Sequence, residues 1–133
     1  MTKYLTNNFS IINIHKNPSA KSEIVTQMNY GDSFSLKKKT KKWLKIKIKE
    51  DNYTGYVVNK NFSPYLKPSH KIAILKAKVF KSPNETNGIY KLTFGSKIKV
   101  LDKKANFLKF EKGWVSSKML NRFLIKKKIF LIK

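Results

Sequence analysis

Lysine is the residue type whose number and spacing first point to chemistry in this sequence. The 133 residues include 30 Lys and Arg against 7 Asp and Glu, and the formal net charge is +23. Segment 37–49 alone holds eight lysines in thirteen residues. A surface of this charge attracts polyanions. The lysines that would form such a site are Lys37, Lys38, Lys39, Lys41, Lys42, Lys45, Lys47 and Lys49.

A second interpretation of the same lysines requires no ligand. Arg122 is the only arginine, whereas proteins that recognise a nucleic-acid sequence use Arg for bidentate base contacts. Abundant Lys, Asn and Ile are also typical of AT-rich coding sequence. A charged hairpin at a sheet edge discourages unwanted strand pairing. Segment 37–49 therefore predicts either a site for an anionic polymer (peptidoglycan, teichoic polymer or RNA) or a solvated sheet edge.

Several kinds of catalytic chemistry are excluded by composition. Cysteine is absent, which excludes disulfides, Cys-based zinc sites and a cysteine nucleophile. His15 and His70 are the only histidines, and no ligand cluster surrounds either, so neither a metal site nor a cofactor is predicted. The chain as given is therefore not predicted to be an enzyme.

The sequence carries no signal for a membrane. No apolar run approaches the roughly 18 residues that a membrane span needs. Residues 1–8 lack the apolar core of a secretory signal peptide. We therefore expect no membrane span and a cytoplasmic location.

Short strands separated by tight turns must position these side chains. In segment 43–49, Leu44, Ile46 and Ile48 alternate with lysines, which predicts a strand with one buried face. Strands are also predicted at 9–14, 33–36, 53–58 and 72–79, and a charged hairpin loop at 37–42. No segment has a helical period, so the pattern indicates an all-β protein.

The strand pattern occurs twice, which indicates an internal repeat. Residues 14–18, 25–31, 34–36, 43–46 and 55–57 match 79–83, 89–95, 98–100, 107–110 and 113–115 in the same order. Segment 64–71 holds two prolines and is predicted to be a linker. The predicted domains are therefore 1–63 and 72–120, each near the lower size limit for an independent core.

The last thirteen residues form a tail of unusual composition. In 121–133, seven large apolar residues flank three lysines. An apolar segment of this kind needs a partner surface. It either completes the second domain or begins a further domain.

Short motifs occur in a characteristic order in both copies. The first copy contains Asn17-Pro18-Ser19, 22–27, Tyr30-Gly31-Asp32, Trp43 and 51–57, and the second contains 92–96 and 112–115. The motif order of the first copy resembles that of a bacterial SH3 domain. More specifically, the two copies resemble the paired SH3 domains of NlpC-type dipeptidyl peptidases, the γ-D-glutamyl-L-diamino-acid endopeptidases, over roughly residues 9–120.

The resemblance implies a fold of two tandem, small SH3-like β-barrels packed together, followed by a short tail. In the resembled enzymes a papain-like domain with a Cys nucleophile follows the second SH3 domain. This chain has no cysteine, so the catalytic peptidase domain is expected as a partner, in cis if the chain is truncated and in trans if the enzyme is split.

The resemblance also implies which residues contact substrate. In those enzymes an acidic and a tyrosine side chain of the first SH3 domain hold the free N-terminal amine of the cell-wall peptide (muropeptide). Glu23 and Tyr53 match best, with Asp32, Asp51 and Tyr56 as neighbours. The alternatives are an exposed loop carboxylate for Glu23 and barrel packing for the tyrosines. Trp43 and its counterpart Phe107 are interpreted as packing residues or ligand-binding aromatics.

Overall fold

The computed structural model describes residues 3–85 and 87–122, and most of its regular structure is β-strand. The chain divides into two compact units, Met1–Leu66 and Lys67–Lys133. We call them the N-terminal unit and the C-terminal unit. In the part of the chain that is described, no helix is long and apolar enough to cross a membrane.

The N-terminal unit is one antiparallel sheet of seven strands in the order β3-β2-β6-β5-β4-β1-β7. The strands are β1 (Tyr4–Thr6), β2 (Ile12–His15), β3 (Ile24–Met28), β4 (Ser33–Lys39), β5 (Trp43–Ile48), β6 (Thr54–Val58) and β7 (Ser63–Pro64). The alternation predicted for β5 is confirmed, since Leu44, Ile46 and Ile48 are buried and the residues between them are not. Burial of these side chains removes apolar surface from water and stabilises the sheet.

The C-terminal unit is built from shorter strands in three small sheets. The strands are β8 (His70–Ile72), β9 (Lys76–Val79), β10 (Tyr90–Thr93), β11 (Lys97–Ile98), β12 (Asp102–Lys104), β13 (Phe107–Phe110), β14 (Gly113–Ser116) and β15 (Leu120–Arg122). The sheets are β10-β9, β11-β8-β15 and β12-β13-β14. A short 3-10 helix, Ser117–Met119, precedes β15.

Strand pairing in the two units follows the predicted internal repeat. Four residue pairs of the N-terminal unit have a counterpart in the C-terminal unit. Ile12–Met28 corresponds to Ala77–Leu92, Leu44–Val57 to Leu108–Val115, Phe34–Leu5 to Ile98–His70, and His15–Tyr56 to Phe80–Trp114. Side-chain register in a sheet has a period of two, so a slip of one residue would reverse every face. These four pairs therefore have the same register in both units, whereas Phe34–Ile48 has no counterpart, because among the described residues β11 pairs only with β8.

Glycine is needed where β6 crosses β2. A Cβ atom on Gly55 would clash with the side chain of Ile14 and lie 2.9 Å from the carbonyl oxygen of His15. The matched residue Gly113 has φ +146° and approaches the Phe80 backbone in the same way. Both glycines therefore permit a backbone approach that a larger residue would prevent.

We expect Gly55→Ala to lower the stability of the N-terminal unit by about 1–3 kcal/mol, because a methyl group has no room beside Ile14. Urea titration followed by amide NMR signals of β5 measures the change. Gly88→Ala is the control, since Gly88 is exposed and its nearest neighbour is the Lys78 side chain. Equal stability losses in the two variants would contradict the steric explanation.

Several predicted strand boundaries are wrong. The first predicted strand, 9–14, is instead Ile12–His15. Segment 37–42 is not all loop, because a register irregularity after Leu36 lets β4 continue to Lys39 opposite Leu44. Segment 72–79 is two strands, because β8 pairs with β11 and β15 whereas β9 pairs with β10.

The larger architecture also differs from the prediction in part. The all-β class is confirmed. Among the described residues, however, the N-terminal sheet does not close into a barrel, because its end strands β3 and β7 are not paired with each other. The predicted linker 64–71 contributes Pro64 to β7 and His70–Lys71 to β8. Of the predicted tail, Asn121 and Arg122 lie in β15, and residues 123–133 lie outside the described part.

Candidate functional site

The two residues that best match the resembled substrate site, Glu23 and Tyr53, lie at the same end of the N-terminal sheet. Both β3 and β6 are antiparallel to β2 and flank it, so they begin at the same end. Ile24 of β3 and Tyr56 of β6 both lie opposite His15 of β2. Glu23 precedes Ile24 by one residue, and Tyr53 precedes Tyr56 by three. From strand spacing and rise, their Cα atoms are about 12 Å apart. Ligands the size of a short peptide can span that distance.

Both side chains are available to solvent. Glu23 is exposed, and its backbone carbonyl accepts a hydrogen bond from the Lys16 amide at 2.8 Å. Tyr53 is 46% exposed, and its carbonyl accepts a hydrogen bond from the Ile48 amide at 2.8 Å. The backbone of each residue is therefore held while its side chain faces water.

Asp51 shapes the turn that presents Tyr53. Its Oδ1 accepts a hydrogen bond from the Tyr53 amide at 3.0 Å, and Asn52 has a φ of 62°. Asp and Asn favour such turns because their side chains bond the nearby backbone and tolerate this conformation. The Asp51 side chain is exposed, and its carboxylate lies against the Tyr53 backbone.

Asp32 has a different environment from the other candidates. It is 8% exposed, and its Oδ2 accepts a hydrogen bond from the Asn29 amide at 2.8 Å. Its carbonyl also accepts a hydrogen bond from the Asn7 amide. These contacts close the turn around Gly31, whose φ is 85°. They favour a structural role for Asp32 over substrate contact.

Tyr56 lies in a row of four side chains across four strands. Lys38 of β4 lies opposite Lys45 of β5, Lys45 opposite Tyr56 of β6, and Tyr56 opposite His15 of β2. Residues directly opposite in adjacent strands project on the same face. The Lys45 Nζ is 5.9 Å from the centre of the Tyr56 ring, within the range of a cation–π contact.

Trp43 adds a second ring to this face. It lies two residues before Lys45 on β5, so it projects on the same side, as does Lys47. Its ring packs edge-to-face with His15, with centroids 5.6 Å apart at 84°. His15 is 8% exposed, and its Nδ1 lies 3.0 Å from the Ser22 carbonyl oxygen. We define the lysine–aromatic face as Trp43, Lys45, Lys47, Tyr56 and Lys38.

The eight predicted polyanion lysines are not equivalent. Lys45 and Lys47 are half-buried, and Lys49 is exposed but engaged within the protein. Its Nζ donates a hydrogen bond to the Tyr65 hydroxyl at 3.0 Å and lies 5.2 Å from the Tyr4 ring centre. The remaining five are exposed, in β4 or in the turn after it: Lys37, Lys38, Lys39, Lys41 and Lys42. Lys49 is thus the member of the set that is least available to a ligand.

The described side chains form no group of three or more metal-ligating residues. His70 lies 2.8 Å from the Ser69 hydroxyl, and His15 is packed as described above. Non-covalent recognition is the chemistry that this arrangement supports. Its components are an exposed carboxylate and phenol at one end of the sheet, and cations beside aromatic rings on one face.

Sequence reasoning missed the row formed by Lys38, Lys45, Tyr56 and His15. These residues are spread over four strands, and only the register brings them together. The only sequence signal for these residues was that they lie in matched blocks: Gly55-Tyr56-Val57 and Ile14-His15 both have counterparts in the second copy. Matched blocks alone do not show which strands are neighbours.

Known proteins resemble this chain in sequence and in fold. Residues 10–67 match the family model of the bacterial SH3 domain. No curated protein matches the chain. A solved NlpC/P60 family protein from Bacillus cereus has a similar fold, with a TM-score of 0.69 and 12% identity over 90% of this chain and 56% of its own. NlpC2 from Trichomonas vaginalis matches with a TM-score of 0.39 and 8% identity over 91% of this chain and 48% of its own.

The chain thus spans little more than half the length of the Bacillus cereus protein. Similarity at 12% identity concerns the fold and does not transfer an activity. Residues 10–67 of this chain match the bacterial SH3 domain, and the fold of the chain is similar to that of an NlpC/P60 family protein.

Proposed function

We propose that the chain is the non-catalytic SH3 region of a cell-wall-peptide cysteine peptidase, and that it helps to form the substrate pocket. The observation that carries the proposal is the similarity to the NlpC/P60 fold over 90% of this chain, combined with the bacterial SH3 match at 10–67. Because the sequence has no cysteine, the nucleophile belongs to a catalytic domain outside it, in cis or in trans. The complete peptidase would cleave muropeptides in the cytoplasm.

In this proposal the C-terminal unit is a second SH3-like domain. The shared cross-strand register supports it, since His15–Tyr56 and Phe80–Trp114 are paired at matched positions. Gly31 and Gly95 also have φ values of 85° and 87° at matched turns. A common register and common turn geometry are expected of two copies of one domain.

Glu23 and Tyr53 would bind the free N-terminal amine of the peptide. Carboxylates are the natural partner of an ammonium group, through charge-assisted hydrogen bonds, and a phenol oxygen is a further acceptor. Both side chains are exposed at the same end of the sheet. Asp51 would support the position of Tyr53 through its turn.

An NMR titration of the labelled chain with the tripeptide L-Ala-γ-D-Glu-diaminopimelate tests the proposal. We expect weak binding, because the catalytic domain would supply the rest of the pocket, with shifts confined to Glu23 and 51–53. The N-acetylated tripeptide is the matched control, since it lacks the charged amine, and we expect it not to bind. Shifts that are unchanged by acetylation would overturn the amine-binding role.

Replacing the carboxylate tests the same site from the protein side. We expect Glu23→Gln to weaken tripeptide binding about threefold, the size expected for an exposed ion pair. Glu85→Gln, which alters an exposed acid of the C-terminal unit, is the control and should leave the affinity unchanged. If both substitutions have the same effect, general electrostatics explain the binding and the role of Glu23 is refuted.

A further inference from the structure

The row formed by Lys38, Lys45, Tyr56 and His15 differs in one charged position from the row at the matched positions of the C-terminal unit. At the matched positions, Asp102 lies opposite Lys109, Lys109 opposite Trp114, and Trp114 opposite Phe80. The ring geometry is retained: Lys109 Nζ lies 5.9 Å from the Trp114 ring centre, and Phe80 packs edge-to-face with Phe107 at 6.1 Å. The C-terminal row thus has an acid where the N-terminal row has Lys38.

The N-terminal row therefore contains two cations, Lys38 and Lys45. The C-terminal row contains one cation, Lys109, and one anion, Asp102. Lys47 extends the positive side of the face, because it lies on the same face as Trp43 and Lys45. Trp43 and Tyr56 are half-buried, so each ring is supported from one side and partly open to solvent. The N-terminal unit thus combines aromatic surface with two lysines in a row that contains no acid.

We propose that the lysine–aromatic face binds single-stranded nucleic acid. Such ligands are bound by a positive surface that follows the backbone, together with rings on which the bases stack. Lysines without arginines suit this backbone-directed contact, because bidentate base recognition is not required. Flat bases can stack on Trp43 and Tyr56, whereas a polymer without rings, such as poly(glycerol phosphate), would contact the lysines alone. The protein's charge of +23 would increase the rate of association.

Fluorescence anisotropy with a labelled oligothymidylate of about 12 nucleotides, within the usual site size, tests the proposal on the full chain. An abasic strand of the same length is the matched control, because it carries the same phosphates without bases. We expect the oligothymidylate to bind at least about tenfold more tightly than the abasic strand, as stacking requires. Equal affinities for the two strands, or equal competition by poly(glycerol phosphate), would overturn the proposal.

Variants then assign the binding to one unit. We expect Trp43→Ala to weaken oligothymidylate binding about tenfold, and Phe107→Ala, its C-terminal counterpart, to change it less than about twofold. Lys38→Asp introduces the acid that the C-terminal row has at the matched position, Asp102. Because Lys38 is exposed, this variant should fold and can test the face even if Trp43→Ala does not fold. It should weaken binding and reduce the dependence of log affinity on log salt by about 0.7. Unchanged binding by Lys38→Asp, or equal losses in Trp43→Ala and Phe107→Ala, would refute the proposal.

Discussion

Asn7→Ala is expected to destabilise the N-terminal unit by about 3 kcal/mol, since it removes three hydrogen bonds worth about 1 kcal/mol each and leaves a buried gap. Asn7 is fully buried. Its Nδ2 donates to the carbonyls of Ser10 and Asn29, and its Oδ1 accepts from the Phe9 amide, all at 3.0 Å. One side chain therefore joins the end of β1 to the turn before β4. Loss of β4 amide NMR signals at lower urea concentration measures the effect.

Asn13→Ala is the matched control for this prediction. Asn13 is exposed, and its Oδ1 accepts a hydrogen bond from Gln27 at the surface. Because water can replace that bond, we expect a change below about 0.5 kcal/mol. If Asn7→Ala and Asn13→Ala destabilise the unit equally, the buried network is not what fixes this turn.

The parts of the fold that follow from local pattern could be predicted from the sequence. Strand β5 could be predicted because three apolar residues alternate with lysines, and this alternation is typical of a strand with one buried face. Gly31 adopts the left-handed backbone region that glycine tolerates, in agreement with the general preference of glycine for turns. Local chemistry determines each of these features.

The parts that depend on distant partners could not be predicted in this way. No local pattern predicts that Asn7 is buried, because its burial depends on a turn 22 residues away. Asp32 was grouped with the substrate residues because it is acidic, but the same turn uses its carboxylate. The row containing Tyr56 and His15 exists only through the pairing of β2 with β6. Register over such separations is set by packing, which a local pattern does not record.

Packing around Phe34 illustrates how much of the candidate site depends on the core. Phe34 is fully buried on β4, opposite Leu5 of β1 and Ile48 of β5. Its ring packs edge-to-face with Phe62 at 5.2 Å, and Phe62 packs in turn with Phe9 at 5.6 Å. The aromatic cluster therefore connects the C-terminal end of the N-terminal unit to its first strands. Strand β5, which it supports, also carries Trp43 and Lys45 on the opposite face.

We therefore expect Phe34→Ala to cause the largest loss of stability among these substitutions, about 3–5 kcal/mol, because it removes a buried ring and leaves a cavity beside Phe62. That loss is a large fraction of the total stability of a small domain. Phe34→Leu keeps most of the volume and should cost less than about 1.5 kcal/mol, and Phe94→Ala, at a site 56% exposed, should cost still less. Urea titration by NMR ranks the three variants. An equal effect of Phe34→Ala and Phe94→Ala would show that the Phe34 cluster is not the centre of the core.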